Sequence, residues 1–181
     1  MFDLPLHPVV VHFPIVLGII LPFTGLLLWW GIKKERLPQK AWVLVTLMAF
    51  VYCASAVVAS ELGEEDEEKV EKVVAEKLIE EHEEAAELVP WIAGSLFVVS
   101  FAGFLRKNPD RVRLGIAIAS LAAILPLANA GHTGGELVYK YGAANAHLTG
   151  EYKAVVQSGK FYMQNLEKEG EEDKDEKKHD D

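Results

Sequence analysis

Four long apolar stretches dominate the chain, and polar segments separate them. Residues 9–32 and 41–60 contain no Lys, Arg, Asp or Glu, and neither do the shorter stretches 88–105 and 114–130. A hydrocarbon core requires roughly 20 consecutive helical residues. The first two stretches reach that length, and we expect the last two to continue as helix beyond their apolar limits. The pattern predicts an all-α fold, a four-helix transmembrane bundle.

A glutamate-rich segment separates the second stretch from the third. Within residues 64–87, Val70, Val74, Leu78 and His82 follow one another at four-residue spacing. This periodicity is typical of an amphipathic helix with one apolar stripe. We therefore predict an additional acidic helix outside the membrane, with its stripe packed on the end of the bundle.

The end of the chain differs from the rest in composition. We assign residues 1–150 to the membrane domain and 151–181 to an outer C-terminal segment. From about residue 167 the chain is a run of Glu, Asp and Lys with almost no apolar side chains, a composition that predicts disorder.

The basic residues predict how the bundle is oriented. All four arginines lie in the loops 33–40 and 106–113, together with several lysines. Short loops rich in Lys and Arg stay in the cytoplasm. We therefore expect a protein of the cell (inner) membrane, with both termini and the acidic segment on the outer, periplasmic side.

Charge and cysteine content exclude several classes of function. A net charge of −9 and the lack of a basic face argue against nucleic acid as a partner. The single cysteine, Cys53, excludes a disulfide framework, thiolate-clustered metals and the Cys-x-x-Cys-His attachment of c-type haem. Any cofactor must be held by other side chains.

Histidines are the strongest candidates for cofactor ligands, because the predicted topology brings them to one membrane face. His7, His12, His82 and His132 lie in separate parts of the outer side. His82 occupies the apolar stripe, where a buried imidazole needs partners for both ring nitrogens. Helix capping by His7 and a hydrogen bond from His12 to a neighbouring helix are the structural alternatives. His147, in a polar stretch, is interpreted as an ordinary surface residue.

Glycines surround His132. We expect the fourth helix to end at Gly131, Gly134 and Gly135, where missing side chains allow positive φ angles and the close approach of a flat ligand. An ordinary glycine cap beside an incidental histidine is the alternative.

Neutral imidazole binds haem iron, copper and zinc. A carboxylate-bridged di-iron site is excluded because the spans lack carboxylates. His7 and His12 would lie about 140° apart on a continuous helix, which suits haems better than one compact ion. The four histidines are therefore predicted to ligate haem b, with two haems favoured over one and copper or zinc as the alternative.

Two motifs resemble those of a prokaryotic membrane family catalogued as "domain of unknown function 2231". The resemblance covers roughly residues 4–145 and rests, together with the His82-Glu83 pair, on His7-Pro8-Val9-Val10-Val11-His12-Phe13-Pro14 and Gly131-His132-Thr133-Gly134-Gly135-Glu136-Leu137-Val138-Tyr139-Lys140-Tyr141-Gly142. It implies a small four-helix integral membrane protein and supplies no reaction.

The leading hypothesis is a membrane-anchored b-type cytochrome that carries electrons in a respiratory or related redox chain. Expected partners are the lipid bilayer, other subunits of a membrane redox complex, a basic outer electron carrier and a quinol. Tyr139, Tyr141 and Trp91 are candidate quinone or partner contacts, although interfacial anchoring is the simpler interpretation.

Two other functions remain open: a copper- or zinc-binding membrane protein that uses the same histidines, and a non-catalytic anchor subunit of a complex. The chain offers no nucleophile–base pair or phosphate loop, which favours an electron-transfer protein over a stand-alone enzyme.

Overall fold

The computed structural model describes residues 5–105, 109–148, 154–155 and 158–159, and its long elements are all helices. The α-helices are α1 (His7–Val10), α2 (His12–Lys33), α3 (Val43–Val70), α4 (Glu76–Ser100), α5 (Ala102–Leu105), α6 (Pro109–Ala122) and α7 (Ile124–Tyr139). Two short 3₁₀ helices, Gln39–Trp42 and Ala143–His147, complete the order. Consecutive helices, separated at most by brief breaks, form four rods: His7–Lys33, Gln39–Val70, Glu76–Leu105 and Pro109–Tyr139.

The four rods confirm the prediction of four helices long and apolar enough to span a membrane. Their most apolar windows have mean hydropathies between 1.8 and 2.2. Large apolar side chains point away from the bundle: Leu27 is 64% exposed and Leu125 74% exposed. Soluble proteins rarely expose contiguous apolar surfaces, so this belt suits lipid.

Between the rods lies a core of aliphatic, aromatic and small residues. Tyr52 and Ala93 are almost completely buried, and Leu21, Ile116 and Leu127 pack in the same cluster. Small residues allow membrane helices to approach closely, since packing rather than water exclusion drives their association.

Polar contacts fasten the end of the bundle that carries the basic loops, here called the loop end. The Trp42 indole Nε1 donates to the Ser100 carbonyl at 3.1 Å, and the Ser100 hydroxyl donates to Thr46 Oγ1 at 3.1 Å. Arg113, only 2% exposed, donates through Nε to the Gly103 carbonyl at 3.0 Å. A side chain at Gly103 would collide with the Trp42 indole, so this close approach requires glycine.

The acidic segment differs from the prediction of a separate helix over 64–87. α3 continues to Val70, the chain turns through residues 71–75, and α4 begins at Glu76. After this reversal, Val74 and Ile79 pack with Leu137, near the end of the fourth rod, and with Ala143, just after it. We call residues 61–87 the acidic hairpin, and the end of the bundle that carries it the hairpin end.

The glycines around His132 also behave differently from the prediction. α7 continues without interruption through Gly131, Gly134 and Gly135 to Tyr139, and the positive φ of 77° occurs later, at Gly142. Glycine inside a helix costs about 1 kcal/mol relative to alanine; of these three glycines, Gly134 has a close neighbour, the His82 ring, whereas Gly131 and Gly135 face open space.

Two predictions about the periphery stay open. Most of the C-terminal segment 151–181, including the part predicted to be disordered from about residue 167, lies outside the described residues. The side of the membrane that each end of the bundle faces remains a prediction.

Candidate functional site

A cleft of about 1410 Å³ opens at the hairpin end. Its walls come from α1, α3, α4, α7 and the 3₁₀ helix Ala143–His147. Much of the lining is apolar, with Val57, Ile79, Leu137 and Val138 among its side chains. Three separate parts of the chain, residues 5–8, 57–91 and 134–147, therefore converge on one concave surface, where ligand sites are commonly found.

His7 enters the cleft from the short helix that precedes the first span. Its Nδ1 lies 2.8 Å from the carbonyl oxygen of Ala59 on α3. A carbonyl only accepts, so Nδ1 carries the proton and the neutral ring has its lone pair at Nε2. A Cβ at Gly63, one turn beyond Ala59, would lie 3.2 Å from the ring, so glycine there makes room for the imidazole.

His82 is held in the same way from α4. Its Nδ1 lies 2.9 Å from Thr133 Oγ1 on α7, and the Thr133 hydroxyl is within 3.2 Å of the carbonyls of Asn129 and Ala130. Because that hydroxyl donates to its own helix, its oxygen accepts from His82 Nδ1–H. A Cβ at Gly134 would approach the ring within 3.0 Å.

The two imidazoles lie side by side in this cleft in an edge-on arrangement. Their ring centroids are 6.4 Å apart and their planes are inclined at 81°. Among the described residues, neither Nε2 atom has a hydrogen-bond partner. A ring fixed at one nitrogen by a carbonyl or hydroxyl, with the other nitrogen available, is the usual arrangement of a metal-binding histidine.

Carboxylates crowd the walls of the cleft. Four come from α3, namely Glu61, Glu64, Asp66 and Glu67, and four from α4, namely Glu80, Glu83, Glu84 and Glu87. No lysine or arginine in the described part of the chain lines it. The acidic walls are the dominant electrostatic feature of the site.

The acidic hairpin lies beyond the apolar stretches, and burial is the largest cause of the pKa shifts of two of its titratable groups. Burial, followed by the nearby charge of Glu67, raises the pKa of the Glu83 carboxyl. Burial, followed by the proximity of His7, lowers the pKa of His82 and favours the neutral imidazole that a metal requires.

The other two predicted ligands do not reach the cleft. His12 is exposed, and its Nδ1 lies 3.3 Å from the Val9 carbonyl of its own helical turn. His132 is also exposed and is absent from the cleft lining. In the described ranges, no three His, Cys, Asp or Glu side chains converge closely enough to hold an ion. The structure thus brings together two of the four histidines.

Of the glycines and aromatic residues that were also predicted to contact a ligand, some lie at the cleft and others do not. Of the three glycines, Gly134 packs against His82, whereas Gly131 and Gly135 face open space. Of the three aromatics, Trp91 lines the cleft. Tyr139 is 91% exposed, and Tyr141 packs beside Val74 and Leu137, outside the lining.

Sequence reasoning missed three contributors, Gly63, Thr133 and His147. Gly63 is the one glycine in a long acidic helical run, a signal of close approach. Thr133 stood beside a predicted ligand. His147 gave no signal, because it reaches the cleft only through the turn at Gly142.

Together the apolar rods and the cleft define a membrane protein built as a four-helix bundle. The chain belongs to the DUF2231 family, described as "predicted membrane protein", whose family model matches residues 3–147. No curated protein and no solved structure matches the chain. Family membership therefore confirms the resemblance and the membrane class.

Proposed function

We propose that the protein is a membrane-anchored b-type cytochrome in which His7 and His82 ligate one haem through their Nε2 atoms. The observation that carries the proposal is the geometry of this pair: each Nδ1 is hydrogen bonded, each Nε2 is available, and the centroids are 6.4 Å apart. Two imidazoles bound to one iron at about 2 Å each have centroids about 6 Å apart.

The volume and the composition of the cleft support a ligand as large and flat as haem. Its volume of about 1410 Å³ exceeds the range of about 300–1,000 Å³ typical of small-molecule pockets. Gly63 and Gly134 leave space beside the two imidazoles, and the apolar residues of the lining suit a porphyrin. Two imidazole nitrogens would be sufficient protein ligands for haem, whereas a structural zinc ion would need four ligands.

The arrangement favours one haem over two. The second haem expected from the sequence requires His12 and His132, and both are exposed away from the cleft. Our proposal therefore assigns them no ligand role.

The proposed role is one-electron transfer by the Fe(III)/Fe(II) couple. We place the cleft on the periplasmic side of the cell membrane, where a quinol or a membrane enzyme would reduce the haem. A basic soluble carrier, or another subunit of a redox complex, would then receive the electron. The acidic walls support this choice, because they would attract a cationic partner over long range.

A copper or zinc ion bound by the same two Nε2 atoms is the second candidate. The eight carboxylates of the lining favour a cation, and a rearranged Glu83 or Glu67 could complete the ligand set. Since no three-ligand group is preformed in the described residues, this candidate requires movement of the hairpin.

The test is an absorption spectrum of detergent-purified protein from a host supplied with haem, oxidised and then reduced with dithionite. Pyridine haemochrome quantification gives the stoichiometry, and elemental analysis of the same sample detects copper and zinc. A Soret band with sharp reduced α and β bands and one haem per chain is expected.

Histidine variants locate the site. H7A and H82A should lose haem, and H12A and H132A, which remove exposed imidazoles outside the cleft, serve as matched controls. Colourless protein containing one copper or zinc per chain would replace the first candidate with the second. Full haem retention in both H7A and H82A would refute the assigned ligands.

A further inference from the structure

A second concave surface lies toward the other end of the bundle, away from the acidic cleft. It is a groove of about 390 Å³ between the second and third rods, and it begins at the loop end. That volume falls within the range of about 300–1,000 Å³ typical of small-molecule sites. Apolar side chains from both rods line it: Val43, Leu47 and Phe50 from the second, and Phe97, Phe101 and Phe104 from the third.

Contacts between the two rods hold this groove open in a fixed shape. Thr46, which also lines it, accepts the hydroxyl of Ser100 on the third rod at 3.1 Å. Phe50 and Phe97 are the lining residues furthest from the loop end on their rods, and their ring centroids are 5.4 Å apart. This aromatic pair closes the groove toward the middle of the apolar belt.

The dimensions of the groove suit one acyl chain. Val43 and Phe50 are two helical turns apart, which is about 10 Å along the axis. Each leaflet supplies about half of a hydrocarbon core of about 30 Å. The groove therefore runs along about two-thirds of one leaflet, starting at its surface.

Lys40 stands at the surface end of the groove. It precedes Val43 by three residues on the same rod, and the spacing of three, four and three residues from Lys40 through Val43 and Leu47 to Phe50 places them on one helical face. Lys40 is exposed and comes directly before the charge-free stretch 41–60. Its ammonium group is thus carried at the predicted boundary between the apolar belt and water, where lipid phosphates lie.

Other basic side chains of the loop end are engaged by protein groups. The charged groups of Lys33 and Arg36 each lie 4.9 Å from the ring centroid of a tryptophan. Arg113 is buried and donates to a backbone carbonyl. Within the described part of the chain, Lys40 has neither a cation–π contact nor an ion pair. A cation beside an apolar groove is complementary to an anionic amphiphile.

We propose that this groove binds an anionic phospholipid, with one acyl chain against the phenylalanines and the headgroup phosphate at Lys40 Nζ. Basic pockets between membrane helices bind anionic headgroups in this manner. A lysine at a helix end lays its carbon chain along apolar surface and carries its charge to the interface. The proposal depends on the groove alone and is independent of the haem site.

The experiment uses delipidated full-length protein in detergent, titrated with dioleoyl phosphatidylglycerol or dioleoyl phosphatidylcholine, with bound lipids counted by native mass spectrometry. The two probes have the same acyl chains, and only the first is anionic. One lysine contact changes the affinity for an anionic lipid by about fivefold, so the wild type should prefer phosphatidylglycerol by about that factor. K40Q should lose the preference and K40R should keep it. K34Q, which removes a lysine of the same loop outside the second rod, should change it by less than about twofold.

A bulky substitution locates the acyl chain. L47W fills the groove and should lose binding of both lipids, whereas L125W adds the same bulk at a 74% exposed position on the fourth rod and should bind both normally. Melting temperatures measured before the titrations establish that each variant is folded, and the exposed K40Q and K40R pair decides the headgroup contact even if L47W is unstable.

Three results would overturn the proposal: equal affinity of the wild type for the two lipids, an unchanged preference in K40Q, or normal lipid binding by a folded L47W. Dimers of the delipidated wild type that L47W abolishes would assign the groove to a second copy of the chain, and would overturn it as well.

Discussion

Replacement of Thr133 by Val tests whether the orientation of His82 matters to the proposed haem site. The substitution keeps the shape of the side chain and removes the Oγ1 that accepts from His82 Nδ1 at 2.9 Å. A net hydrogen bond contributes about 1 kcal/mol, and a buried donor left without a partner costs about 1–3 kcal/mol. Haem affinity should therefore fall by between about 5-fold and 100-fold.

The assay is titration of the apoprotein with haem, followed by the reduced α-band spectrum as a measure of low-spin ligation. T133S retains the hydroxyl and should behave like wild type. T46V removes a hydroxyl hydrogen bonded to Ser100 at the loop end, and should lower the melting temperature without changing haem affinity. Unchanged affinity and spectrum in T133V would refute the argument that Thr133 orients the ligand.

Three further outcomes follow from the packing and the charge. G134V should displace the His82 ring, because even a Cβ at this position would lie within 3.0 Å of it. The haemochrome assay should therefore show a lower haem content. G135V, at a position that faces open space, should leave the haem content unchanged. G103A should destabilise the bundle by about 1–3 kcal/mol through overpacking, measured as a lower melting temperature, whereas G115A, also open, should be neutral or slightly stabilising. Electron transfer to a basic soluble carrier should slow as salt rises from about 10 to 500 mM, because screening weakens attraction to the acidic walls; stopped-flow rates independent of salt would contradict that role.

The spans could be predicted from the sequence because twenty apolar residues in a row leave a chain few alternatives. The angle of about 140° predicted between His7 and His12 assumed one continuous helix, but the helix breaks at Val11, and the imidazole beside His7 is that of His82 on another rod. The periodicity of the acidic segment was also misleading. The four-residue spacing of Val70 and Val74 is compatible with a hairpin as well as with one continuous helix, so it did not reveal the turn. Such choices depend on tertiary contacts, here the cluster that Val74 forms with Leu137.

The position of the histidine pair along the rods bears on what the site would exchange electrons with. His7 precedes the first apolar stretch by two residues, His82 precedes the third by six, and Thr133 follows the fourth by three. All three therefore lie at the boundary between the apolar belt and the acidic hairpin, rather than at mid-membrane. A cofactor held there is close to lipid on one side and to charged, hydrated walls on the other. The apolar side suits a quinol that diffuses in the bilayer, and the acidic side suits a cationic partner in water, so one site could serve both without a second haem.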